Sequence, residues 1–271
     1  MNRVQGVALA TISFGLIILA RSSRADETKF VALERVHLRA GPGMGTASAG
    51  TIAAGDSLLF LGHESDRTGF IKVQTSSGKQ GWVSGGYLRQ LNTGPQMLAG
   101  GCTYCGYERW AVKTASDADA GNIGSTVTTL SIGSARGFPA PAHKPQASRV
   151  GQVERSRYSI TAYLRGWVLE NDQDIHLVLS SAKTGAGKTI IAEIPAQGCQ
   201  GVCSSDVEGE MKTARSTLTN ELGDPPGQFT PINPARRVTL TGVGFFDFLH
   251  GQHGVAPNGF ELHPVLGVQF N

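Results

Sequence analysis

Four residues in the C-terminal half have the types and spacing for chemistry: His176, Glu193, Glu261 and His263. Two apolar runs, Asp174–Ser180 and Thr189–Pro195, flank a Lys183–Ala186 turn. Folded as a hairpin, the turn sets residue 182 against 187 and so His176 against Glu193, within side-chain reach. Glu261 and His263 stand two apart on an extended run and share one face. Asp247, His250 and His253 lie at the turn before them. Such a set can be a structural hydrogen-bonded pair, an acid–base site or a metal site. No serine or cysteine nucleophile motif accompanies it. The four are therefore carried as candidate catalytic residues, with no metal ligand set assigned and zinc kept as an option.

The elements that must position them can be read from periodicity. Arg236–Phe270 reads as two long strands joined by the loop His250–Gly254 and the turn Pro257-Asn258-Gly259. Arg155–Glu170 reads as a long strand, with Gly166 marking a bend or bulge. Residues 206–222 change period: Val207, Met211, Ala214 and Leu218 recur at helical spacing, and Ser205 or Asp206 is placed to cap the helix. The order over residues 151–271 is three strands, a helix and two strands. That is the order of an OB-fold, a five-stranded, partly open barrel.

Two other motifs weigh less. Ala182–Thr189 imitates a phosphate-binding loop, but a strand follows where that loop needs a helix N-terminus, so a hairpin turn is expected. Asp117 and Asp119 form a D-x-D pair in a small-residue loop, the usual setting of solvated carboxylates rather than metal ligands.

The fold class expected is mainly β, a small barrel followed by the OB-like barrel with one helix. Residues 30–92 supply the first barrel through short alternating runs separated by turns such as Gly55-Asp56 and Ser77-Gly78. Here Leu38-Arg39-Ala40-Gly41-Pro42-Gly43, Gly69-Phe70-Ile71-Lys72-Val73, Gly81-Trp82-Val83 and Gly86-Tyr87-Leu88 fall in order. They resemble the motifs of the bacterial SH3 domain over residues 32–90. The sequence departs from the usual pattern at His37 and Phe70. The resemblance implies a non-catalytic module that binds peptidoglycan, or an envelope peptide or protein. Arg39, Trp82 and Tyr87 are then candidate ligand-binding residues, with Trp82 and Tyr87 either lining a groove or filling the core. The tail also resembles a group of uncharacterised exported bacterial proteins through Leu169–Leu179, Ile191–Pro195 and Gly242–Leu266. That resemblance implies no activity.

Compartment follows from the N-terminus and the cysteines. Arg3, the apolar run Val7–Ala20 and Ser23-Arg24-Ala25 read as a Sec signal peptide of residues 1–25, cleaved after Ala25, against the alternative of an uncleaved anchor. The run is shorter than the ~20 residues a membrane span needs, so no stable insertion is expected after cleavage. The protein is expected in the periplasm or secreted. Cleavage removes three of 24 bases and leaves 21 against 21 acids. The excess of charge thus sits in the signal, and nucleic acid as a partner would need a local basic patch. Cys102/Cys105 and Cys199/Cys203 form two close pairs. In an exported chain they read as disulfides, with a four-thiolate zinc site and a redox motif as alternatives and the connectivity open. Residues 93–150 are expected to link the two barrels and to wrap the second.

Overall fold

The computed structural model describes residues 28–91 and 102–271. The expected signal peptide and cleavage site lie outside the described residues.

The first unit is a seven-stranded sheet. Its strands are β1 (Lys29–Ala32), β2 (Val36–Arg39), β3 (Ser48–Ile52), β4 (Ser57–Glu64), β5 (Phe70–Thr75), β6 (Gln80–Ser84) and β7 (Leu88–Leu91), in the order β3-β2-β6-β5-β4-β1-β7. Alternate residues point inward, as the pleat dictates: Val36 and Leu38 of β2 and Gly81 and Val83 of β6 are buried. With Phe30, Ile52, Leu58 and Ile71 they make the core of this unit.

The second unit begins with a covered approach. A one-turn helix α1 (Trp110–Lys113), a short strand β8 (Val127–Thr129) and a second one-turn helix α2 (Ile132–Ala135) precede the main strands. Those are β9 (Arg157–Leu169), β10 (Ile175–Ser180), β11 (Thr189–Ile194), β12 (Thr230–Phe246) and β13 (Phe260–Phe270), with helix α3 (Glu208–Leu222) between β11 and β12. The sheet order is β10-β11-β13-β12-β9-β8, and β10 also pairs with β9, so the pairings of the five long strands run in a ring. β11 and β13 are parallel; the other four contacts in the ring are antiparallel. The bulge expected near Gly166 falls at Arg165, which β10 skips in passing from Gly166 to Leu164.

Helix α3 buries Met211, Ala214 and Leu218, as their spacing requires. Neither Ser205 nor Asp206 caps it; Val207 occupies that position without a side-chain bond. The Ser205 hydroxyl instead donates to Ala115 O at 3.0 Å, and Glu208 and Glu210 in the first turn offset the positive helix end. β12 starts at Thr230, earlier than expected, through an irregular stretch between Pro231 and Arg236.

The four cysteines form disulfides, Cys102–Cys203 and Cys105–Cys199, which excludes the thiolate zinc site and the redox motif. They tie the segment before α1 to the turn before α3. That segment is further held by ion pairs. Asp117 meets Arg149 and Asp119 meets Arg155, each at 2.7 Å, so the D-x-D carboxylates serve arginines. Arg109 is fully buried in a two-pronged pair with Glu154, at 2.7 and 2.9 Å, and also donates to Phe246 O. Lys183–Gly187 is a turn between β10 and β11. Among the described residues no helix is long and apolar enough to cross a membrane.

The two units touch along one seam. Phe30 meets Tyr107 edge-on with ring centres 4.7 Å apart, and the Tyr107 hydroxyl donates to Glu64. Lys144 N donates to Asp66 O at 2.7 Å. Gly69 sits in the left-handed region at φ +68°, and a Cβ there would run into Glu108 and Phe248, so only glycine lets the first unit come this close.

Candidate functional site

The hairpin registers His176 against Glu193, and β11 lies beside β13, pairing Ile191 with Glu261. Those two pairings bring the four candidate residues together. His176 Nδ1 lies 2.9 Å from Glu193 Oε1, Glu193 Oε2 lies 3.0 Å from His263 Nδ1, and Glu261 Oε2 lies 4.0 Å from the same nitrogen. The line continues through His263 Nε2 to Asp174 Oδ2 at 3.2 Å. His263, Glu261 and Asp174 are closed off from solvent.

Only part of this line opens outward. A cavity of about 440 Å³ lies at the seam, and His176 and Glu193 are on its wall while Glu261 and His263 are behind it. The first unit contributes Leu33, Glu34, Gly86 and Tyr87; the second adds Glu108, Lys113, Glu170, Asp172, Asp247, His250 and His253. Sequence reasoning missed Glu108, Lys113, Glu170, Asp172 and Asp174. The available signal was the density of acids in Glu170-Asn171-Asp172-Gln173-Asp174-Ile175-His176, directly upstream of a histidine.

The electrostatics follow from burial. Burial opposes charge on His176, but hydrogen bonds to Glu170 and Glu193 outweigh it and raise the imidazole well above its ordinary range. Burial likewise opposes ionisation of Glu193, and His176 and His263 overcome it, holding the carboxyl well below the usual range. His263 is pushed up to about 9, burial again being overcome by the carboxylates of Asp174 and Glu193. Neither ring nitrogen of His263 is aligned for a hydrogen bond, so these are charge contacts. Glu261 has no cation of its own. Burial, then the charges of Glu193 and Asp247, drive it well up, and neither oxygen has a hydrogen-bond partner among the described residues. Glu108 and Asp172 are raised well above the usual range by burial and by neighbouring carboxylates, and Glu170 is raised by burial first. Lys113, 3.5 Å from Asp247, stays charged because the surrounding acids outweigh its burial.

The candidate residues of the first unit do not converge. Arg39 and Trp82 are cross-strand partners and both are half-buried; the Arg39 guanidinium donates to Thr46 O at 2.8 Å. Tyr87 is elsewhere, on the cavity wall, its ring 6.3 Å from that of His250.

Residues 34–89 match the bacterial SH3 domain. The match covers the first unit from just before β2 into β7 and leaves the second unit unassigned. No curated protein matches the chain. The likeness of the tail to exported bacterial proteins finds no support among these matches.

Proposed function

We propose that the chain is an exported two-module binding protein that holds its ligand in the cavity between the bacterial SH3 module and an OB-like barrel formed by the five-strand ring. The observation that carries this reading is that both modules line one cavity. Bacterial SH3 domains often bind peptides or cell-wall components, and two disulfides fit an oxidising compartment. The lining sets six carboxyl groups against one lysine and three imidazoles. Carboxyl groups recognise amines and amides, so the ligand is an amine-bearing peptide of the envelope. Tyr87 offers a rigid aromatic wall for it. The test is co-sedimentation of the mature protein with purified peptidoglycan. Tyr87→Ala should reduce the bound fraction at least fivefold, and deletion of residues 30–92 should abolish binding. Sedimentation unchanged by both would end this reading.

Hydrolysis is the second reading, favoured by an imidazole placed between two carboxylates on the cavity wall. The cavity lining holds one lysine and no arginine with which to grip phosphodiesters, so this reading points to an amide substrate rather than nucleic acid. Its working group is His176 with Glu193, while Glu261 and His263 stand behind as supports. Release of peptide fragments from peptidoglycan, lost in His176→Gln, is the outcome that would favour it.

A further inference from the structure

We propose that Glu170, His176 and Glu193 bind one divalent transition-metal ion of the zinc class at the cavity wall. Each residue offers one ligand atom, and these atoms all lie within 4.8 Å of one another. His176 Nδ1 is 2.9 Å from Glu193 Oε1 and 3.2 Å from Glu170 Oε1. Ligand atoms at zinc bond lengths of about 2.0–2.2 Å stand roughly 3.0–3.4 Å apart for right-angled to tetrahedral arrangements, so both imidazole–carboxylate distances already suit an ion, and the two carboxylates lie within 4.8 Å of each other.

The imidazole is oriented for this task. His176 Nε2 lies 2.9 Å from the carbonyl oxygen of His253, where an N–H donates to it. That bond keeps a proton on Nε2, so the proton an ion would displace is the one on Nδ1, shared with the two carboxylates; this is the usual outer support of a metal-bound histidine. Glu193 is supported by charge: His263 Nδ1 lies 3.0 Å from its Oε2, the oxygen that does not meet His176.

The other cluster of metal-type groups, Asp174, Glu193 and His263, is a poorer host. There the imidazole lies between its carboxylates, one at each nitrogen, so no lone pair points at a spot both acids share. An imidazole among the ligands favours zinc, manganese or a similar ion over calcium or magnesium. Three protein ligands beside an open cavity leave a position for water or a ligand group. The inference does not depend on the peptide-binding reading, since metal uptake is measured without any peptide.

The test uses the mature disulfide-bonded protein, stripped with a chelator and dialysed against Zn²⁺, Mn²⁺ or Ca²⁺ in separate arms. Metal content by mass spectrometry should reach one zinc or manganese ion per chain, with calcium near zero. With both disulfides intact no thiolate competes. Glu170→Gln, at a side chain that is 36% exposed, should weaken zinc at least tenfold by calorimetry with an unchanged circular-dichroism spectrum. His176→Gln should abolish it, and His143→Ala, at an exposed ion pair with Asp66, should leave it intact. Less than a tenth of an equivalent of zinc and of manganese in the folded protein would overturn the proposal. So would zinc held undiminished by folded Glu170→Gln, or lost with His143→Ala.

Discussion

Glu193 is the residue on which the buried line depends. Its two oxygens face two imidazoles, His176 at 2.9 Å and His263 at 3.0 Å, and it is 4% exposed. Removing one member of a buried charge cluster leaves the others uncompensated, at a cost of about 3–5 kcal/mol. Glu193→Gln keeps the shape and deletes the charge, so it should lower stability in urea by about that amount. His263→Gln added to it should cost less than it does in the parent, because its main counter-charge has already gone. The pH dependence has a definite sign. His263 is raised from 6.5 to about 9 in the folded chain. Such a group gives stability that is complete below pH 6.5 and lost as pH rises through about 9. Glu261, raised by burial, adds to the same trend. With chelator present, urea stability should therefore fall over that window, and the fall should be shallower in His263→Gln.

At the level of elements, the cysteines and the strands were legible to different depths. Counting outward from the Lys183–Ala186 turn gave the His176–Glu193 register, which is observed. The 3.6-residue period gave α3 to within two residues at its start. Segment 102–155 was not legible, because its order comes from Arg109–Glu154, Arg149–Asp117 and the disulfides, contacts between distant residues that no local period encodes. Connectivity of the cysteines was open for the same reason. The bridges are nested, closing separations of 101 and 94 residues. Once one exists, the other closes only a small extra loop. Loop-closure entropy then predicts non-additive costs. Losing either bridge alone should cost about 2–3 kcal/mol, and losing both about 7 kcal/mol. Urea unfolding of the paired variants Cys102→Ala/Cys203→Ala, Cys105→Ala/Cys199→Ala and the quadruple variant measures this. Additive losses would instead assign the effect to native contacts around each bridge.

At the scale of the molecule, the cavity exists only because the two modules are docked, and docking is what the sequence could least reveal. Three acids just upstream of a histidine can be seen in a string of letters; that Glu34 and Tyr87 close a cavity beside them cannot. The seam carries its own titration. His250, on the second module, lies 3.3 Å from the Ser84 hydroxyl and 3.6 Å from Glu108 Oε2. Burial lowers its pKa from 6.5; Asp247 opposes that shift, while Lys113 and Lys144 reinforce it. Glu108 is raised well above its ordinary 4.5 by burial and Asp247, against the pull of Lys113 and Arg109. Folding thus favours the neutral form of both partners. A depressed imidazole gives stability that is present above pH 6.5 and lost as pH falls through its lowered value. A raised carboxyl gives stability that is present below 4.5 and lost as pH rises through its raised value. The pH dependence of the seam is therefore the sum of two opposing trends, a gain with rising pH from His250 and a loss with rising pH from Glu108. The reporter is the Lys144 amide, which donates across the seam to Asp66 O at 2.7 Å. Its hydrogen-exchange protection, corrected for intrinsic pH dependence, should carry both trends. His250→Gln should remove the gain and leave a steeper fall with rising pH, and Glu108→Gln should remove the fall and leave the gain. A pH dependence unchanged by both substitutions would assign it to groups away from the seam.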